Sequence, residues 1–342
     1  MSRIQVPEVL RAATRAAIGP ERTDAWIQAV PFIFNELFDR WTLRYDPVPG
    51  APWAGCESLV VPVLTADSTP AVVRVAAPST SPSQSHEQIL EALRIWDGHG
   101  AVRVYREDTS FRATLQERLI TATNLGTLPL EQVPAVWGAL LRALTVPAAN
   151  GFLRVQDIAA GWLAQGPAGP AALGPAVPLA PSDRYVFENA EHWARVAATS
   201  AENWLIHADL HYYNILAGNP DAHGVATWKA IDPQPLAGPT AYAVAPLLWN
   251  RLYDLPAAAP EDQAAWLRAF AQQVCQEAGV DPAFGLGLSV AREVQNLRWY
   301  ARAAADGDAR AAGDAARSLW VARALSGVSV QGADAHRLKR IG

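Results

Sequence analysis

Cysteine and lysine are scarce in this chain. Its only cysteines, Cys56 and Cys275, lie far apart and without metal-ligand spacing, so a disulfide framework or a zinc site is not expected. Of the 28 basic residues only Lys229 and Lys339 are lysine, the rest being arginine. A basic footprint is missing too: the formal net charge is −5 and no long basic run occurs, which argues against a nucleic-acid partner and a membrane surface. No apolar run approaches the roughly 20 residues of a membrane span, and Met1 to Pro20 lacks the apolar core of a signal peptide. A cytoplasmic location is therefore expected. A Gly-x-Gly-x-x-Gly phosphate loop is also absent around Gly50 and Gly55. What remains is 342 residues, half of them hydrophobic, which is ample for a buried core.

The stretch with chemical content is His207-Ala208-Asp209-Leu210-His211-Tyr212-Tyr213-Asn214, read with Ile231-Asp232-Pro233 downstream. Phosphoryl transfer asks little covalent help of a protein: the reacting group must be held in line and its charge neutralised. One Asp must take or orient the hydroxyl proton, an Asn must hold a metal ion, and a second acid must hold the metals bridging the nucleotide phosphates. Asp209, Asn214 and Asp232 fit those roles in that order, and the five-residue step from Asp209 to Asn214 is that of a kinase catalytic loop. Between them, Ile215 to Ala217 and Val225 to Ile231 read as the strands of a hairpin, with turn chemistry at Gly218-Asn219-Pro220-Asp221.

Upstream, Val6 to Ile18 and Thr23 to Trp41 read as helices, the second capped by Thr23 or Asp24 and kinked at Pro31. From Thr42 the pattern turns to short strands: Leu43 to Tyr45, Leu59 to Leu64, Ala71 to Val75, Val102 to Tyr105 and Ala113 to Leu119. After the Ser/Pro-rich Pro78 to Ser85, the pair Ser85 and Gln88 makes a capping box for a helix that ends before Gly98. Glu87 and Glu91 lie one turn apart on it. Helices then dominate, over Leu130 to Leu144, Phe152 to Gln165, Asp183 to Ser200, Pro260 to Ala278, Pro282 to Ala305 and Asp308 to Ser326. Gly166 to Pro181 reads as a surface loop and Pro233 to Pro239 as irregular. The class is α+β.

The run Leu205 to Gly218, with Ala230 to Pro233 and Ala241 to Arg251, resembles the aminoglycoside phosphotransferase superfamily, and within it the streptomycin 6-kinase and hydroxyurea-resistance group. The likeness extends to Pro52-Trp53-Ala54-Gly55, Val61-Pro62-Val63, Pro70 to Val75 and Ala92 to Gly98, covering about residues 40 to 330. The resemblance implies a protein-kinase-like bilobal fold: a helical extension over 1–41, an N-lobe of antiparallel sheet plus helix over 42–122, and a larger helical C-lobe over 123–342. It implies ATP, or GTP, with Mg²⁺ as cofactors, and a small hydroxylated acceptor such as an aminoglycoside. Arg74 then takes the place of the phosphate-pairing strand lysine, partnered by Glu87 or Glu91. Ala54 to Ser58 takes that of the nucleotide-covering turn, and backbone groups from Glu117 to Leu119 bind the adenine. The alternatives are a kinase of another small-molecule or metabolite pathway, and a degenerate nucleotide-binding kinase fold without turnover.

Three positions depart from the family pattern. Ala208 stands for a Gly, which requires the loop to avoid left-handed backbone there. Ala243 stands for the Asp that anchors the catalytic loop. Arg74 stands for Lys, keeping the charge but with a bulkier, planar head group.

Overall fold

The computed structural model describes residues 4–78, 85–169, 173, 177–220 and 227–340. The expected Ser/Pro-rich loop after Pro78, the middle of the Gly166 to Pro181 loop, and the hairpin tip with the start of its second strand fall largely outside these. The chain forms two compact units, residues 1–121 with 217–231, and residues 122–216 with 232–342.

The first unit opens with α1 (Glu8–Ile18) and α2 (Pro20–Trp41). The second helix starts at Pro20, not at the expected cap Thr23 or Asp24. Proline at the first helical position has no N–H to waste and a φ already helical, and the Thr23 hydroxyl donates back to the Gly19 carbonyl at 2.8 Å. Helical assignment runs on through Pro31. Val30, Ile33, Phe34, Leu37, Phe38 and Trp41 are buried at helical spacing.

This stripe packs on a six-stranded antiparallel sheet of β1 (Arg44–Tyr45), β2 (Trp53–Ala54), β3 (Ser58–Leu64), β4 (Pro70–Ala76), β5 (Val104–Asp108) and β6 (Ala113–Glu117). The order is β1-β3-β4-β6-β5, with β2 on β3. Side chains alternate across a strand, so Leu59, Val61 and Val63 join Ala71, Val73 and Val75 in the core beneath α2. That alternation sends Val72 and Arg74 to the opposite face. Helix α3 (His86–Trp96) begins where the Ser85 hydroxyl accepts the Gln88 N–H at 3.2 Å, as its capping box requires, and stops at Asp97 in left-handed conformation.

The strand expected at Val102 begins later, at Val104, because Val102 is otherwise engaged. Its N–H donates to the Ala230 carbonyl at 2.9 Å, and the Ala230 N–H to Gly100 at 2.8 Å. These bonds tie the strand Trp228–Ala230 into the first unit.

The second unit is built from the long helices Val133–Leu144, Val155–Ala164, Asp183–Ala198, Pro260–Ala278, Pro282–Ala305 and Ala311–Ser326. Asp281 caps the fifth by accepting the Phe284 N–H at 2.8 Å, and Gly279 and Gly327 end their helices at positive φ. A buried bidentate pair, Arg323 to Asp183 at 2.7 and 2.6 Å, joins the helices Asp183–Ala198 and Ala311–Ser326. Pro233 to Pro239 is not wholly irregular: Pro235–Gly238 is a strand antiparallel to Trp204–His207, which in turn pairs Val146–Pro147. Two prolines bracket that strand and hide it from propensity, but burial of all four of its residues repays the pairing.

Glu293, on Pro282–Ala305, is only 1% exposed, and burial pushes its carboxyl up to about 7 against the opposing hydrogen bond of Ser318 and charge of Arg317. A raised folded pKa means the native state holds a proton that the unfolded chain releases from 4.5 upward. Stability from this group is thus full at low pH and is lost as pH rises through about 7. Chemical unfolding of the wild type between pH 5 and 8 should show a fall on the order of 1–3 kcal/mol that Glu293→Gln abolishes. Parallel pH profiles for the two proteins would refute a protonated Glu293.

Candidate active site

The strand Trp204–His207 delivers a fully buried His207 to the start of the candidate loop, His207 to Asn214. Beyond it the backbone folds tightly on itself. The His211 N–H donates to the Asp209 carbonyl at 3.0 Å and the Asn214 N–H to the His211 carbonyl at 3.1 Å, leading into a single 3₁₀ turn at Tyr212–Asn214. This turn brings the Asn214 side chain back on Asp209. Its Nδ2 donates to the Asp209 carbonyl at 3.0 Å and to Oδ2 at 3.2 Å. The five-residue spacing read in the sequence therefore closes a contact between the two side chains.

Asp209 is partly buried, and His211 Nε2 lies 3.5 Å from its Oδ2. Burial raises the carboxyl, but the hydrogen bond from His211 and the charges of His211 and Arg292 outweigh it and leave the pKa below the ordinary carboxylate value. Asp209 is accordingly an anion at neutral pH, able to accept a hydrogen bond from an incoming hydroxyl. Ala208 does not take a left-handed backbone, so alanine is tolerated where the family pattern has glycine. Asp232 does take one, at φ 47, a conformation that Asp adopts more readily than most residues.

Two anchors were not legible in the sequence. Trp137 Nε1 donates to the Leu210 carbonyl at 3.0 Å. Arg292 donates to the Ala208 carbonyl at 3.2 and 3.3 Å and to the Tyr242 carbonyl at 2.7 Å. Each is one residue on a long helix, with no local pattern to distinguish it from its neighbours.

Asn214 and Asp232 suit a hard cation: Asn214 spends its amide N–H on Asp209, which leaves Oδ1 as an oxygen donor, and Asp232 offers a carboxylate. No group of three or more His, Cys, Asp or Glu able to hold a metal occurs among the described residues. Mg²⁺ commonly takes only one or two protein oxygens and completes its shell with phosphate and water.

Arg74, Glu87, Glu91, Glu117 and Leu119 belong to the first unit. Arg74 is 5% exposed and, with His86, Arg112, Cys56 and Glu57, lines a cavity of about 200 Å³. Burial and the charges of Arg74 and Arg112 push His86 down to about 4, so it is neutral at physiological pH. Glu91 is exposed and pairs with Arg94 at 3.1 Å on its own helix, whereas the charge of Glu87 acts on Arg112. The side chain of Glu117 accepts from Lys229 Nζ and from the Arg103 N–H, both at 2.7 Å, and its own N–H goes to Arg103 at 3.0 Å. Lys229 also donates to the Gly98 carbonyl at 3.0 Å. One of the chain's two lysines thus fixes the segment that leads to Leu119, which is buried.

Residues 40–307 match the family model described as aminoglycoside/hydroxyurea antibiotic resistance kinase. The chain is 34% identical to the streptomycin 6-kinase of Streptomyces glaucescens over 86% of its own length and 91% of that protein's. It is 30% identical to the streptomycin 6-kinase of Streptomyces griseus over the same shares. With the hydroxyurea phosphotransferase of Kitasatospora aureofaciens it shares 34% identity over 66% of this chain and 62% of that one. Among solved structures, choline kinase LicA from Streptococcus pneumoniae superposes with a TM-score of 0.53 at 12% identity, covering 87% of this chain and 99% of that chain. A thermostable aminoglycoside phosphotransferase APH(4)-Ia solved with AMP-PNP and hygromycin B superposes at 0.50 and 18% identity over the same shares. At these identities the structural likeness establishes the kinase-like fold.

Proposed function

The chain belongs to the aminoglycoside/hydroxyurea antibiotic resistance kinase family, a family of small-molecule phosphotransferases, and from that premise we propose that it moves the γ-phosphate of ATP to a hydroxyl of an aminoglycoside, with streptomycin the first acceptor to try. The observation that carries this reading is the Asp209–Asn214 contact, two side chains suited to a base and a metal ligand held together just beyond the Trp204–His207 strand. Likeness to streptomycin 6-kinases over most of the chain favours that acceptor.

In this reading Asp209 accepts the proton of the attacking hydroxyl, or orients that hydroxyl while it attacks. His211 and Arg292 hold its carboxylate ionised. Asn214 and Asp232 would hold Mg²⁺, whose chemistry is to neutralise charge on the phosphate oxygens. Arg74 would grip the α- or β-phosphate through its planar guanidinium, which binds phosphate bidentately. Glu91 is engaged by Arg94, so of the two candidate partners Glu87 is the one left to act from the start of α3.

The second reading, a nucleotide-binding protein without turnover, draws on Arg74 in place of lysine and on the buried Ala243 in place of an acid. An ATP-consumption screen with Mg²⁺ over streptomycin, other aminoglycosides, hydroxyurea and hydroxylated metabolites separates the two. A phosphorylated streptomycin identified by mass spectrometry is the expected result. Mg·ATP binding without consumption over the whole panel would support the second reading.

A further inference from the structure

The peptide group joining Ala208 to Asp209 is held at both ends. Its N–H donates to His207 Nδ1 at 3.3 Å, and its carbonyl accepts both Nη atoms of Arg292 at 3.2 and 3.3 Å. A peptide unit is planar and stiff, so fixing both polar ends fixes the direction in which the Asp209 Cα leaves it. Arg292 Nη1 also donates to the Tyr242 carbonyl at 2.7 Å. Its guanidinium lies 4.1 Å from the Tyr242 ring centroid and 5.2 Å from that of Trp249. Two backbone carbonyls and two aromatic faces therefore select one rotamer of a side chain that otherwise has many.

Ala243 gives this arrangement its point. Fully buried one residue after Tyr242, its side chain is a methyl group that can neither donate a hydrogen bond to the loop nor accept one from it. An acid could only accept hydrogen bonds from the loop, whereas a guanidinium can only donate. The loop is thus fixed through its carbonyls, from the helix Pro282–Ala305.

We propose that Arg292 is a positioning residue for the transfer reaction, bridging the Ala208 and Tyr242 carbonyls so that the backbone carrying Asp209 keeps its reactive orientation. The role rests on the kinase reading above; the contacts do not. Lysine at 292 reaches one carbonyl as a point charge but cannot bridge two and stack as a plane. Misplacing a reacting group by about 1 Å costs on the order of 100-fold in rate.

Two measurements on the full chain test this with Arg292→Met, Arg292→Gln and Arg292→Lys. Hydrogen exchange read by mass spectrometry is the first, and it needs no substrate. Peptides covering His207 to Asn214 should exchange faster in the Met and Gln variants than in wild type, with Lys in between, while Pro260 to Ala278 stays unchanged. The second is steady-state kinetics with whichever acceptor the screen identifies. Expected is a kcat lowered about 10- to 100-fold in Arg292→Met with the KM for ATP nearly unchanged, and partial recovery in Arg292→Lys. Unaltered exchange across His207 to Asn214, or a kcat within about twofold of wild type, would overturn the proposal. Should the Met variant fail to fold, Gln and Lys carry the same comparison. Absence of any acceptor would count against the kinase reading alone, since the exchange experiment still decides the positioning role.

Discussion

Asp209→Asn should lower kcat by about 10² to 10⁴ while leaving the affinity for ATP close to that of wild type, because removing a general base typically costs that much and the substitution changes shape very little. The side-chain contact with Asn214 at 3.2 Å can survive through the remaining amide oxygen, so the loop should keep its fold. What disappears is the negative charge, and with it both the pairing to His211 at 3.5 Å and the acceptor for the substrate proton. The sign of the pH dependence follows from the same geometry. His211 and Arg292 more than offset the burial that would raise Asp209, so its pKa is depressed and the base form persists as pH falls from neutral into the mildly acidic range. An acid limb in the wild-type profile near neutrality would therefore belong to another group, and its persistence in any residual Asp209→Asn activity would identify it as such. Steady-state rates at saturating ATP, with circular dichroism to check folding, are sufficient. A variant with near-normal kcat would remove Asp209 from the proton step.

Asp232→Ala should strongly weaken Mg²⁺-dependent ATP binding. Loss of a charged ligand to a metal costs on the order of 3 kcal/mol, or roughly 100-fold in affinity. The backbone at Asp232 complicates that variant, since φ is 47 and alanine pays about 1–2 kcal/mol in the left-handed region. Asp232→Asn is the cleaner partner experiment, because asparagine accepts that backbone, keeps the volume and removes only the charge. Calorimetry with Mg·ATP should show both variants strongly weakened. The same titration without Mg²⁺ should show little difference from wild type, since the proposed contact runs through the metal. Equally tight Mg·ATP binding in Asp232→Asn would move the metal site elsewhere.

Much of this was legible in the chain because it depends on neighbours a few residues away. The five-residue step from Asp209 to Asn214 needs only one tight turn to bring the two side chains together, and the structure has that turn. The capping pairs Ser85–Gln88 and Asp281–Phe284 and the stop at Gly327 are single-turn geometry. Alternation along Ala71 to Val75 separated the core valines from Arg74 for the same reason: successive residues of a strand face opposite ways.

Other features took their form from partners distant in sequence. Pro235–Gly238 became a strand because Trp204–His207 and its burial outweighed two flanking prolines, and the strand at Val102 shifted because the Ala230 carbonyl took its N–H. Glu117 was read for its backbone alone, yet its side chain is claimed by Lys229, 112 residues away. The raised carboxyl of Glu293 exists only because three-dimensional packing removes water from it. Arg292 reaches a carbonyl 84 residues upstream. The sequence by itself determined the local geometry, since motif spacing, caps and strand alternation are set by bonds within a turn or two. Tertiary structure alone decided what holds the Asp209 loop in place, because an anchor such as Arg292 or Trp137 is defined by the direction of a distant carbonyl, which no local pattern encodes.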